Sequence, residues 1–423
     1  MSRQPEQNDP APIARGQRIA ALDIVRGIAL LGIVVANVNA FAQPNLAYYW
    51  PPALGGGVEP GDAWFWLLQF TLIDGKARAL FAMLFGAGLV LFAERAAEGE
   101  GSERAATFRQ LRRLFWLALF GLAHFTLLFE GDILFAYATA GLCALLALGM
   151  PGRSLLTMGL MWGVAGALLR IVDYAPAALV EGGGSMYLPG ADIEPLRIWW
   201  EGQIADAARQ AAIYRGGSYA DILHWRISEE GSRLYWGLLV NFYETIPLML
   251  IGMGLYRLGL FSGELVSSRI ALVAWAGVAL GLGLNFAAGW HVMQGGFQPF
   301  ATQLAFFGFS MLFNLPFVTG AMLLLARWAQ SATDSWLAER LAVMGRMAFT
   351  NYIGASLVLM LIFQGWAGGL YGTLDRTGMV PAIALVWALM FKLSRLVLAR
   401  WRHGPLEWAW RCLTYWRWLP LKK

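Results

Sequence analysis

Cysteine and histidine are scarce in this chain, with two of the first and four of the second in 423 residues. Cys143 falls in an apolar run and Cys412 in a basic tail, so no disulfide framework holds the fold. No HxxxH or CxxC spacing occurs, which argues against a metal site. Charge is scarce as well: 14% of residues are Asp, Glu, Lys or Arg, against roughly 25% in a soluble domain. Hydrophobic residues make up 58% and the mean hydropathy is +0.53. A chain this long and apolar cannot cover itself with polar surface in water, and the bilayer is its solvent. The 20 Trp and 13 Tyr suit the interfacial belts of a membrane protein. A net charge of +5 could suggest nucleic acid. Most of the basic residues, however, lie in short loops between apolar runs, and no nucleic-acid partner is expected.

The expected fold is all-α and integral to the membrane. Crossing ~30 Å of hydrocarbon takes about 20 mostly apolar residues. Such runs lie at 19–40, 77–93, 113–129, 132–150, 154–172, 234–256, 270–290, 301–327, 347–366 and 380–399, giving about ten spans. The stretch 63–73 is too short to cross alone and ends at Asp74-Gly75-Lys76, so it reads as an interfacial or re-entrant helix. Segments 1–18 (a disordered N-terminus), 19–172 and 234–400 (two transmembrane halves of about five spans each) and 401–423 (a basic C-terminus) flank or enclose an outer segment, 173–233. There Leu196, Trp199, Trp200, Ile204 and Ala207 recur at helical spacing, as in an amphipathic helix lying on the membrane or capping a cavity. Most of the 32 Lys and Arg fall on the side that holds the N-terminus if that terminus is inside. The expectation is a multi-pass protein of a bacterial-type cytoplasmic (inner) membrane, with both termini cytoplasmic. The opening run and Ala40-Phe41-Ala42 resemble a signal peptide, but Asp23 and Arg26 stand where an apolar h-region would be.

Ionisable groups inside a span cost ~2.5–3.5 kcal/mol each on insertion scales, so each is a candidate for function. On the cytoplasmic side, Asp23 and Arg26 share a face of the first helix at i, i+3 and can pair. Arg346 lies at matching depth, followed by Asn351 and Tyr352. The two arginines are either structural charges or a clamp for the phosphates of a nucleotide-containing donor. The outer half is richer. Asn37 and Asn39 end the first helix, and Lys76 and Arg78 start the second. His124 lies about one turn from the outer end of the third, followed by the turn Glu130-Gly131-Asp132, with Tyr137 one to two turns down the fourth. Glu244 stands two to three turns into the sixth and needs a partner, Arg78 or His124. Their common depth predicts a polar, water-reachable cavity. Phe85-Gly86-Ala87-Gly88 reads as a helix-packing motif.

Several strings here resemble the YeiB-like family: L-D-x-x-R-G-x-A at 22–29, D-G-K at 74–76, L-F-x-x-L-F-G-x-G at 80–88, G-x-x-H at 121–124, G-D-I-L-x-x-Y at 131–137, G-R-M-A-x-T-N-Y at 345–352 and G-P-L-E-W-x-W-R-x-L-T-Y at 404–415. More distantly, D-x-x-R-G in a first helix ending in V-N resembles the transmembrane acyltransferases of the heparan-α-glucosaminide N-acetyltransferase type. In those enzymes an Asn follows the Asp by fourteen residues, which lands here on Asn37. Where they carry a catalytic His shortly after that Asn, the loop 41–62 has none, and Tyr48 falls near the spacing. That likeness implies transfer of an acyl group from cytoplasmic acyl-CoA (acetyl-CoA) to an acceptor reached from the outer half of the membrane: a small molecule, lipid or glycan. Arg26 and Arg346 would then meet the phosphates, His124 would be the general base with Asp132 or Glu244 orienting it, and Asn37 would hold the oxyanion. The alternatives are a small-solute or proton-coupled transporter and a non-enzymatic membrane component. The oligomeric state stays open, a homodimer included.

Overall fold

Near-continuous apolar runs in a bilayer must satisfy their own backbone groups, and helices do so within one segment. The computed structural model describes residues 15–53, 57–100, 103–183, 193–265, 267–332 and 335–423, so most of the expected N-terminal tail and part of the Gly-rich stretch after Glu181 lie outside the described residues. The order is α1 (Arg15–Ala42), α2 (Asn45–Tyr49), α3 (Pro60–Leu72), α4 (Lys76–Glu100), α5 (Glu103–Leu127), α6 (Leu134–Leu145), α7 (Gly152–Glu181), α8 (Ile193–Gly216), α9 (Tyr219–Ser228) and α10 (Ser232–Val240). There follow α11 (Ile246–Arg257), α12 (Ser268–Gln294), α13 (Pro299–Gln303), α14 (Ser310–Ser331), α15 (Trp336–Arg346), α16 (Ala348–Phe363), α17 (Val380–Arg400) and α18 (Pro405–Tyr415). Among the described residues there is no strand, only an isolated bridge between Trp401 and Lys422. This is an all-α membrane protein.

The expected count of ten spans is not what the helix lengths give. Among the described residues, seven helical runs are long and apolar enough to cross a membrane, or eight if the bent pair α15–α16 is one span. The runs expected at 113–129 and 132–150 are α5, whose first half carries Arg109, Arg112 and Arg113, and α6, which is only 12 residues long. Twelve residues at 1.5 Å per residue reach about 18 Å. The helix expected at 63–73 is α3, which runs on with α4 as one 36-residue candidate, Pro60–Arg95. Asp74-Gly75-Lys76 interrupts this run locally, with Gly75 at φ +75°.

α1 is the axis of the bundle, packed by α4, α14, α15, α16 and α17. Its contact with α15 depends on two glycines. A Cβ on Gly27 would overlap the carbonyl of Leu341, and one on Gly345 would overlap the carbonyl of Asp23. The strings L-D-x-x-R-G and G-R-M-A are thus the two halves of one helix crossing. The chain then bends by 82° between α15 and α16. The carboxylate of Glu407 accepts the backbone N–H groups of Phe349 (2.7 Å) and Thr350 (3.0 Å), so a side chain from α18 caps the start of α16. Two π-turns, Asn241–Thr245 and Leu304–Phe309, interrupt the helices on either side of α7. α8 and α9 close the far end of the bundle, away from Arg26 and Arg346. Trp200 of α8 is buried against Leu46 and Phe300, whereas Trp199 and Ile204 are exposed.

Candidate functional site

Two cavities approach each other through the bundle. The first, of about 190 Å³, lies at the basic end. Arg26, Arg113 and Arg346 are part of its lining, with the apolar Phe81, Phe85, Leu117 and Phe349 and with Ile133, Tyr137 and Tyr352. Arg26 is paired with Asp23 at 2.6 Å. Arg113 lies over the rings of Trp410 (4.8 Å), Phe92 (5.1 Å) and Phe85 (5.7 Å), and its Nη1 is buried with no hydrogen-bond partner among the described residues. The one carboxylate on this wall, Glu407, is occupied by the N-terminus of α16. It is half-buried, and desolvation raises its pKa from the ordinary carboxylate value against the hydrogen bonds from Thr350 and Phe349. The lining thus holds three guanidinium groups and a carboxylate already engaged by the protein.

The second cavity, of about 530 Å³, lies at the far end under α8 and α9. Asn37, Asn45, Tyr48, Arg78, Gln203, Gln210, Glu230 and Arg233 are among its lining. Glu244 holds Arg78 through both carboxylate oxygens, at 2.7 and 2.8 Å, so Glu244 partners Arg78 rather than His124. Its π-turn is tied to α6 by Asn241, which donates to the carbonyl of Ala136 (3.0 Å) and the hydroxyl of Thr139 (3.0 Å). Ile133 lines both cavities.

His124 and Asp132 lie in the partition, both side chains wholly buried. His124 Nδ1 is 2.7 Å from Asp132 Oδ1, and the other carboxylate oxygen accepts the backbone N–H of Phe135 at 2.7 Å. An ionised carboxylate can only accept, so this contact places a proton on Nδ1, and Nε2 is the acceptor nitrogen of the neutral ring. Nε2 is 2.9 Å from the hydroxyl of Ser356. The ring stands 4.9 Å from that of Tyr352, whose hydroxyl accepts the N–H of Ile133 at 3.3 Å. Tyr137 donates to the carbonyl of Arg78 at 2.8 Å. In G-x-x-H the glycine has a steric duty, since a Cβ on Gly121 would collide with Asp132 and the backbone of Phe135. The string G-D-I-L-x-x-Y brings Asp132 and Tyr137 to the same partition.

The other predicted residues do not join this group. Lys76 is buried on the carbonyls of Phe70 (2.6 Å) and Asp74 (3.2 Å) and on Asn285 (3.3 Å). Asn39 binds Gln69 and Gln43, both at 2.9 Å, and Arg376 at 3.1 Å. Glu130 faces Tyr214 and Arg226 of α8 and α9. Asn351 donates to Met344 O and Ser394. Sequence reasoning missed Arg113, Glu407 and Ser356. Arg113 reads as one more loop arginine and Glu407 as part of a recognition string. Ser356 lies four residues after Tyr352, on the same helix face, and that spacing was the available signal.

Comparison with known proteins agrees with the strings. YeiB of Escherichia coli K12, described as uncharacterized, is 30% identical over 409 residues, 94% of this chain and 96% of the relative. The chain belongs to the YeiB-like family. YxaH of Bacillus subtilis 168, also described as uncharacterized, is 29% identical over 430 residues, 97% of this chain and 98% of its own length. A 39.9 kDa protein encoded in the amylase 3′ region of Bacillus acidopullulyticus is 25% identical over 422 residues, 97% of each chain. A family model described as "Protein of unknown function (DUF418)" matches residues 255–417, which hold the G-R-M-A and G-P-L-E-W strings but neither His124 nor Asp132. No solved structure matches the chain.

Proposed function

We propose that the protein is an acyltransferase of the cytoplasmic membrane, taking an acyl group from cytoplasmic acyl-CoA and delivering it to an acceptor in the far cavity. One observation carries this reading: an arginine-lined cavity and a larger polar cavity come from opposite ends of the bundle to a partition holding a carboxylate-oriented histidine. Arg26, Arg113 and Arg346 supply guanidinium donors suited to the phosphates of a coenzyme A thioester. The apolar wall beyond them suits its acyl-bearing arm. Asp132 holds the His124 tautomer in which Nε2 can take a proton. The positive-inside rule assigns the basic end to the cytoplasm, and both termini with it.

The test is a thermal shift with coenzyme A on purified protein in nanodiscs. Coenzyme A should raise the Tm saturably, since a ligand of the native state alone stabilises it by mass action. Arg346→Lys should weaken the apparent affinity about tenfold, because a point charge replaces a fork. A Tm that stays flat up to millimolar coenzyme A would sink the donor assignment. A small-solute carrier is the second reading. It draws on the thinness of the partition, where one residue, Ile133, faces both cavities. Saturable solute uptake into proteoliposomes without consumption of acyl-CoA would favour it.

A further inference from the structure

We propose that Ser356 is the nucleophile of this site and that the acyl group is carried across the partition as an O-acylserine; this rests on the acyl-transfer reading above. His124 is wholly buried, and its two ring nitrogens are engaged by Asp132 at 2.7 Å and Ser356 at 2.9 Å. Neither cavity has His124 in its wall. Ser356 is in neither wall either, but its hydroxyl is the group on Nε2 and it borders a small void between the two cavities. Carboxylate, imidazole and hydroxyl in this order are the arrangement that turns a weak alcohol nucleophile into a reactive one.

The position of Ser356 suits transfer between the two ends. A void of about 10 Å³ lies against Ser356, Asn37 and Tyr352. Asn37 also lines the far cavity, and Tyr352 also lines the arginine cavity. Ser356 is thus one side chain away from each. Its hydroxyl has a single proton to give, to Nε2 at 2.9 Å or to the carbonyl of Tyr352 at 3.2 Å. The carboxamide of Asn37 has no hydrogen-bond partner among the described residues, and it borders the void where an oxyanion would form. Ser356 is only 2% exposed, and exclusion of water protects an ester from hydrolysis until an acceptor arrives.

The chemistry balances without an added reactant. The Ser356 oxygen attacks the thioester carbonyl carbon while its proton passes to His124 Nε2. The tetrahedral intermediate collapses with rupture of the C–S bond, and the departing thiolate takes the proton from Nε2. In the second half, an acceptor hydroxyl or amine gives its proton to Nε2 and attacks the acyl carbon. The C–O bond to Ser356 breaks, and the serine oxygen recovers the proton. Asp132 keeps Nδ1–H in place throughout and stabilises the imidazolium.

The bland role for the same contact is an interhelical tie between α5 and α16, since buried Ser and His commonly join membrane helices. The experiment separates the two on full-length protein in nanodiscs, using radiolabelled acetyl-CoA and, in parallel, a fluorophosphonate serine probe. The expected result is label on Ser356 that survives denaturation, absent in Ser356→Ala and greatly slowed in His124→Gln. Ser356→Ala should also lose at least about a hundredfold in coenzyme A release, with a Tm close to wild type. Labelling by the fluorophosphonate alone, dependent on His124, would uphold the nucleophile and overturn the acyl-CoA donor. Undiminished coenzyme A release by Ser356→Ala would overturn the covalent step and leave acyl transfer standing. No label from either reagent, with a Ser356→Ala variant that is merely less stable, would overturn the nucleophile and leave a tie.

Discussion

In the proposed reaction His124 has a catalytic and a structural role that substitution can pull apart. Truncating it strands Asp132, a wholly buried carboxylate, and an unsatisfied buried group costs about 1–3 kcal/mol, more when charged. His124→Ala should therefore be both inactive and destabilised. The double variant His124→Ala/Asp132→Asn removes the stranded charge and should recover much of the Tm with no recovery of activity. Paired melting and turnover measurements check this. If His124→Gln, which cannot accept a proton near neutral pH, turned over acyl-CoA normally, the histidine would have no proton-transfer role. The remaining charges at this scale are mostly paired by geometry: Asp23 with Arg26, and Arg78 with Glu244. Arg113 has no such ion pair among the described residues. It sits in an aromatic cage with a buried, unpartnered Nη1 beside the cavity.

At the scale of elements, the C-terminal helix α18 matters more than its basic, tail-like composition suggests. Glu407 reaches back over more than fifty residues of chain to cap α16, the helix that carries Tyr352 and Ser356. Glu407→Ala should lose about 1–2 kcal/mol, the range of a good N-cap, read as a lower Tm. Its pH dependence has a definite sign. Burial raises the folded carboxyl pKa above the unfolded value, so the folded state holds this proton more tightly. The stabilisation is full below the unfolded pKa and is lost as pH rises through the folded one. The Tm of wild type relative to Glu407→Gln should therefore rise as the pH is lowered from neutral into the mildly acid range. The sequence conveys this poorly, because the Glu407–α16 contact joins distant segments. Apolar runs show where α1, α7, α12, α14 and α17 lie, since length and hydropathy are local. For α5 and α6 the signal is weaker, with four arginines in the first half of α5 and only 12 residues in α6.

Across the whole molecule, the sequence carries the depth of polar residues better than their partners. Asn37, Arg78, His124 and Asp132 do gather around a cavity and its partition, as their common level suggests. Lys76, Asn39 and Glu130 share that level too, yet side-chain direction sends them into other contacts, with Asn285, Gln69 and Tyr214. A span assignment fixes height along the bundle and leaves rotation about each helix undetermined. In the proposed reaction the donor enters at the arginine end and reacts at the partition. Sealed vesicles of known orientation test it most directly, with labelled acetyl-CoA supplied to one face at a time and coenzyme A release followed. Release is expected only when donor meets the face bearing Arg26, Arg113 and Arg346, and is expected to be lost in His124→Gln. Release from the opposite face, or from neither, would contradict it.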